Sequence, residues 1–269
     1  MLVNSNRVEH KDMKFDGDVS SFKHSNTLFI RLIAKEKRFT NVDFRYSIFE
    51  ACYLRGCVFD SCDFTGCRFV NSNLNGSNFA GCKFDYAYFE KTFIDSDILD
   101  SGCPGHENLK MRFARSLRVN YQQLGDATSA NKAISIELDA THVHLLKAWK
   151  SPESYYRKKY SGIKRIKVFF SWLDFRILDV IWGNGESASK LMRFTAILLV
   201  SLSANDVFLF GDPQRISSYI ESMYKAPQIF LGISSQEGYA GWFLSTVTMI
   251  RLIIIAFFMS IILKRFNRR

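Results

Sequence analysis

From Phe39 onward an apolar side chain recurs at every fifth position: Phe39, Phe44, Phe49, Leu54, Phe59, Phe64, Phe69, Leu74, Phe79, Phe84, Phe89, Ile94 and Leu99. Two residues before most of these centres stands a small side chain, as at Ser47, Cys52, Cys57, Cys62, Cys67, Ser72, Ser77, Cys82, Ala87 and Thr92. A helix would scatter positions five apart around its circumference, and a strand alternates with period two, so neither produces this pattern. Self-similarity at a fixed period is instead the mark of a repeat architecture. Pro104-Gly105 ends the run. Helical spacing follows at Leu109, Phe113, Leu117, Tyr121 and Leu124, is broken by Gly125-Asp126, and resumes at Ala130, Ile134, Leu138, Thr141, Leu145 and Trp149. This predicts a helical hairpin whose apolar faces either close the end of the repeat array or pack between subunits.

Further on, Ile163, Ile166, Phe170, Leu173, Ile177 and Val180 mark one face of an amphipathic helix, with Trp172 and Trp182 beside it. Two longer apolar stretches close the pattern. Leu191–Phe210 and Trp242–Leu263 would extend about 30 and 33 Å as helices, enough to cross a hydrocarbon layer.

Charge sharpens this division. The net charge is +10, yet residues 39–104 carry 5 Lys/Arg against 9 Asp/Glu. Between Lys147 and Lys167 there are 8 basic residues and one acid, Glu153. A basic, aromatic amphipathic helix directly before a span fits a lipid surface better than nucleic acid. Lys190 and Arg193 precede the first span, and Lys264, Arg265, Arg268 and Arg269 follow the second. The intervening segment is poorer in Lys/Arg, so both termini are expected in the cytoplasm. Residues 1–17 have no apolar core of the kind a signal peptide needs.

Candidate chemistry is sparse. Five of the six cysteines fill the small position of the repeat, where a thiol acts as a compact hydrophobe, so neither a metal site nor a disulfide is expected. No nucleophile triad, carboxylate pair or phosphate loop stands out, and His142-x-His144 places its two rings on different helix faces, so no enzyme activity and no cofactor are expected. Within the spans lie Asp206 and Arg251. An unpaired Arg in hydrocarbon costs at least about 2.5–3.5 kcal/mol, so Arg251 should bridge to Asp206, face a water-filled path in a ring of copies, or snorkel.

The repeat resembles the pentapeptide-repeat family, as Cys62-Asp63-Phe64-Thr65-Gly66 and Ser77-Asn78-Phe79-Ala80-Gly81 illustrate. The resemblance implies a right-handed, quadrilateral β-helix, a solenoid with four repeats per coil, and a little over three coils here. Leu54, Leu74 and Ile94 fall 20 residues apart, which would give one wall aliphatic centres and the others Phe. The repeat core comprises Phe44, Phe49, Leu54, Phe59, Phe64, Phe69, Leu74, Phe79, Phe84 and Phe89.

The C-terminal third resembles the two-transmembrane pore domain of the potassium-channel superfamily. The likeness is carried by Leu124-Gly125-Asp126, Trp182-Gly183-Asn184-Gly185-Glu186, Ile220-Glu221-Ser222-Met223-Tyr224, and Ala256–Phe266. It implies a homotetramer with a pore helix and a re-entrant loop between the spans. At the filter position the chain reads Phe230-Leu231-Gly232-Ile233-Ser234-Ser235, with one glycine where a potassium filter needs two, so potassium selectivity does not carry over. Pro227 is expected to limit the pore helix.

The expected organisation is therefore a lead-in or cap over 1–38, the β-solenoid over 39–104, a helical connector over 105–150, a basic juxtamembrane helix over 151–189, and a two-helix transmembrane domain over 190–269. The partners expected are membrane lipid, further copies of the chain, and a protein or ligand docking on the solenoid; nucleic acid is not. The location expected is the inner, cytoplasmic membrane of a bacterium. The function expected is an ion channel or pore with a cytoplasmic sensor or scaffold, for instance a membrane-depolarising effector in antiviral defence. The alternative is a non-conducting, membrane-anchored interaction module.

Overall fold

A computed structural model describes residues 7–233 and 238–267, apart from the side chains of Arg265 and Asn267. The described residues divide into two compact units, residues 7–169 and residues 170–267.

The first unit is a parallel β-solenoid followed by helices. One wall is built from β1 (Val8–Lys11), β3 (Thr27–Ile30), β5 (Ile48–Glu50), β7 (Arg68–Val70) and β9 (Tyr88–Glu90), paired in that order. A second wall is β2 (Val19–Ser20), β4 (Arg38–Thr40), β6 (Val58–Asp60) and β8 (Asn78–Ala80). Two columns of single bridges complete the square, one through Ile33, Tyr53, Asn73 and Phe93, the other through Lys23, Asp43, Asp63 and Lys83. The register is 20 residues per coil, with Phe39 over Phe59 and Phe49 over Phe69.

The five-residue period follows from the corners. Asn41, Tyr46, Ala51, Gly56, Ser61, Gly66, Asn71, Gly76, Gly81, Tyr86 and Lys91 all take positive φ, one per repeat. A non-glycine residue pays about 1–2 kcal/mol for that conformation, and the coil-to-coil hydrogen bonds hold it in place. Phe44 N–H donates to the Asp63 carbonyl at 2.9 Å, and Phe64 N–H to that of Lys83 at 2.8 Å. At Gly66 the corner needs glycine for a second reason: the Tyr46 ring lies 2.6 Å from where a Cβ would sit.

Inside, the Phe side chains form three near-parallel columns. Phe44, Phe64 and Phe84 stack with centroids 5.1 Å apart, and Phe49, Phe69 and Phe89 at 4.9 and 5.0 Å. Phe39, Phe59 and Phe79 form the third column. Ala34, Leu54, Leu74 and Ile94 are buried along the fourth side, as the aliphatic spacing predicts. Burying each Phe contributes about 1.5–3 kcal/mol, and ring stacking adds about 0.5–1.5 kcal/mol per pair.

The solenoid starts earlier than the repeat pattern predicts. Residues 1–38 are not merely a lead-in, because β1, β2 and β3 lie there and extend the solenoid to about four turns. Val8 pairs with Thr27 and Lys14 with Ile33, one residue short of the 20-residue register. The inward centres of this first coil are His10, Phe15 and Val19, with His24 next. His10 and His24 continue the Phe columns by stacking on Phe29 and Phe44. At the other end Leu99 is not a repeat centre. It is buried in a short helix, α1 (Ile98–Ser101).

The predicted hairpin is α2 (Glu107–Gln123) and α3 (Ala127–Lys150), joined through Gly125 and the N-cap Asp126, whose carboxylate accepts from Ser129 N–H at 3.0 Å. It covers the last coil. Ser116 Oγ accepts from Phe89 N–H at 2.9 Å. The Asn120 amide both accepts from Thr92 N–H and donates to its carbonyl, each at 2.7 Å. Phe113 meets the ends of two Phe columns. An open strand edge is thereby given side-chain partners and kept from pairing with another chain.

The second unit holds two helices long and apolar enough to cross a membrane, α6 (Ala188–Phe210) and the continuous α8 (Gly241–Asn267). Between them lies α7 (Ile216–Leu231). Two further helices precede this set in sequence. α4 (Ser154–Lys159) is short, and α5 (Ile163–Trp182) exposes the predicted apolar face, with Ile163, Ile166, Phe170, Leu173, Ile177 and Val180 all open.

Candidate functional site: the segment between the apolar helices

α7 packs on α6. Ala226, Ile229 and Phe230 are buried, and Ser222 Oγ donates to the Ser203 carbonyl at 2.9 Å. The helix runs through Pro227 and ends in Gly232, which takes φ +73° while Ile233 N–H donates to the Gln228 carbonyl at 2.9 Å. This corrects the expectation that Pro227 limits the helix. One missing N–H near a helix end is offset by the packing of the turn that follows it. A further correction comes with it. Phe230 and Leu231 stand in the last helical turn and do not form an extended filter; Phe230 is buried while Leu231 and Ile233 are exposed. Ser234 and Ser235 lie outside the described residues.

Asp206 and Arg251, charges carried by the long apolar helices, do not pair with each other. Asp206 is 6% exposed and accepts from Tyr239 Oη at 2.6 Å. Tyr239 is placed by rings on both sides, edge-on to Phe210 at 4.9 Å and stacked on Phe243 at 5.0 Å. Arg251 is half-buried on α8, and its Nη1 occupies the space where a Cβ at Gly232 would stand. A guanidinium there meets the partial negative charge at the carboxyl end of α7, worth about 0.3–1 kcal/mol and up to about 2 when partly buried. Each charge thus clamps one end of the segment joining α7 to α8. Tyr239 was invisible to periodicity because it sits in a loop. Its one signal was a hydroxyl-bearing side chain between two apolar runs.

At the opposite end of the helices, the Trp182-Gly183-Asn184-Gly185-Glu186 stretch is a tight turn with positive φ at Gly183, Asn184 and Gly185. It receives the end of α8. Lys264 Nζ donates to the Gly185 carbonyl at 3.3 Å and lies 3.1 Å from Glu186 Oε1, and Trp182 stacks on Phe257 at 4.0 Å. Nearby, Lys190 pairs with Asp179 at 2.7 Å. Between α6 and α8 a cavity of about 700 Å³ is lined by apolar side chains together with Asn205, Ser201 and Thr246.

In the first unit, His144 is buried with Nδ1 3.5 Å from Tyr156 Oη and Nε2 3.3 Å from Tyr160 Oη. Burial, with the Lys159 charge assisting, holds its pKa below the ordinary histidine value. His24 is lowered by burial and then by His10. The repeat cysteines Cys52, Cys57, Cys62 and Cys67 are buried, and burial pushes the Cys52 thiol up to about 11.

Residues 38–76 and 62–95 match the family model for pentapeptide repeats, in eight copies. Among solved structures, a trypsin-treated QnrB1, a plasmid-mediated fluoroquinolone resistance protein, is similar at 18% identity, with TM-score 0.18, over 32% of this chain and 60% of that one. A second trypsin-treated QnrB1 matches at 22% identity and TM-score 0.12, over 32% and 53%. A pentapeptide repeat protein from the Arabidopsis thaliana thylakoid lumen matches at 15% identity and TM-score 0.18, over 40% of this chain and 75% of that one. This chain therefore spans little more than half the length of the QnrB1 structures it resembles. No curated protein sequence matches the chain.

Proposed function

We propose that this chain, whose solenoid is built of pentapeptide repeats, is a self-associating membrane pore that carries the solenoid as a cytoplasmic docking domain. The observation that carries the reading is the outward apolar surface of the second unit. α8 buries Val247 and Ile254 yet exposes Trp242, Met249, Leu252, Ile253, Phe258 and Leu263, whereas the core helix of a soluble protein buries its apolar face. Lipid and neighbouring copies are the partners such a surface fits. α5, basic at its start and apolar along one face, suits the bilayer surface beside them.

The pore reading adds three supports: a helix too short to span lies between two that can, a clamped segment returns from it, and an arginine lies at membrane depth. Irregular backbone at that depth must be buried in protein or face water. By this reading the assembly is a tetramer, performs no catalysis, and passes ions without potassium selectivity. The site for an activating partner is the solenoid surface. Planar-bilayer recording of the purified protein tests it. Discrete conductance steps that vanish on deleting residues 216–240 support the pore. Persistent silence from correctly inserted protein leaves the non-conducting anchor as the function.

A further inference from the structure

The cysteines of the solenoid do not all have the same neighbours. Cys52 N–H donates to Ser72 Oγ in the next coil and Cys57 N–H to Ser77 Oγ. Cys67 is followed one coil on by Ala87. Cys62 and Cys82 alone place thiol over thiol among the described residues. They lie one coil apart in register, since Asp63 bridges Lys83 and Lys83 N–H donates to the Cys62 carbonyl at 2.9 Å. Both side chains turn inward, with Cys62 Sγ 3.4 Å from the Phe39 carbonyl and Cys82 Sγ 3.5 Å from that of Phe59. The two thiols are near enough to perturb each other's ionisation. Cys62 is 1% exposed, whereas Cys82 is partly open.

We infer that Cys62 and Cys82 form an oxidation site that closes to a disulfide between two successive coils, with a peroxide as oxidant. Adjacent parallel strands lie about 4.8 Å apart, inside the Cα separation a disulfide accepts but wider than its usual Cβ separation of about 3.8 Å. The bond therefore forms under tension, and a tense disulfide is easily reduced, which suits reversible modification over permanent bracing. Peroxide converts the accessible Cys82 thiol to a sulfenic acid and releases water. Cys62 then attacks that sulfur, and a second water leaves with the remaining oxygen as the disulfide forms. Accessibility assigns the first step to Cys82, the more open of the two thiols. The neighbouring Cys82 thiol lowers the Cys62 pKa, which favours the thiolate that attacks the Cys82 sulfenic acid.

The test uses the full chain, reduced, then exposed to hydrogen peroxide, unfolded, alkylated and digested for mass spectrometry. The expected product is a peptide pair joined through Cys62 and Cys82, reversed by dithiothreitol, with Cys52, Cys57 and Cys67 still alkylated. In the Cys62→Ser variant, Cys82 should stop at the sulfenic acid and take up dimedone that the parent chain does not. Serine already fills the same position at Ser47, Ser72 and Ser77, so the coil accommodates it. Uniform alkylation of all six cysteines after peroxide, or a link from Cys82 to Cys103 in place of Cys62, overturns the inference. Equal dimedone uptake by parent and variant also overturns it.

Discussion

The two units solve the burial problem in opposite directions. In the solenoid every coil satisfies the next, with backbone bonded to backbone and ring stacked on ring, so that Phe44, Phe64 and Phe84 are all about 1% exposed or less. In the second unit apolar side chains of similar size face outward, among them Met249 at 66% and Phe266 at 69%. The first unit completes its core within one chain, while the second leaves a broad apolar surface uncovered. A substitution should consequently cost most where the chain buries its own side chains, and least where they face outward.

The sharpest break in that contrast is a pair of truncations. Phe64→Ala should cost about 3–5 kcal/mol, because it removes a ring from the middle of a stack and leaves a cavity that the rigid coils cannot close. Ile255→Ala on the outward face of α8, 49% exposed, should change stability in detergent by less than about 0.5 kcal/mol. Thermal unfolding of the two variants measures both, and equal losses would erase the distinction between the units.

Next come the two clamps, the places where the second unit does hold itself together. Gly232→Ala should destabilise by about 1–2 kcal/mol from the left-handed backbone alone, with more from displacing Arg251. Arg251→Gln should relieve that crowding, so the double variant should recover part of the loss. Tyr239→Phe leaves the buried Asp206 carboxylate without its donor and should cost about 1–3 kcal/mol. Under the pore reading, Arg251→Gln should also move the reversal potential in a salt gradient toward that of cations. Asp206 keeps Tyr239 in that variant, so loss of assembly is not expected.

Acid separates the units in a third way. His144 and His24 both have folded pKa values below their unfolded ones, chiefly through burial. The unfolded chain then binds more protons, so their contribution is fully present above about pH 6.5 and is lost as pH falls below it. Unfolding of the isolated first unit, followed by circular dichroism, should show a midpoint that drops on acidification. A His144→Gln variant should flatten that slope even though its midpoint near neutrality is lower. A small effect also belongs to Lys264→Met. The ion pair with Glu186 is partly exposed, so its loss should cost no more than about 1 kcal/mol and should fade in high salt.

How far these features were legible in the sequence depended on whether neighbours in space are fixed by period. From Phe39 to Ile94 every inward residue could be named because coil geometry repeats without exception. Upstream, the same architecture was hidden. Val19, His24 and Ala34 replaced the usual centres, and the step from Phe15 to Val19 is one residue short. The two long apolar helices were readable from length and apolarity alone. The clamps were not, since the pairing of Asp206 with Tyr239 crosses 33 positions, and Arg251 meets a glycine, which offers no side chain to anticipate. Pro227 misled for a related reason: local propensity argued for an end where tertiary packing carries the helix on.

The constant 20-residue register makes the length of the array a quantity that changes in whole steps. Removing residues 59–78 would bring Val58 directly before Phe79, the residue that lies over Phe59 in the ladder, so the spliced chain re-enters the same wall at the same phase. The array would shorten by one strand spacing, about 4.8 Å, with the column identities, the covering hairpin and everything after it unchanged. A deletion of 18 or 22 residues from the same region would instead turn inward side chains toward solvent. Relatives of different reach could therefore arise by gain or loss of complete coils, with no compensating change elsewhere, as floors are added to a building whose stairwell never moves.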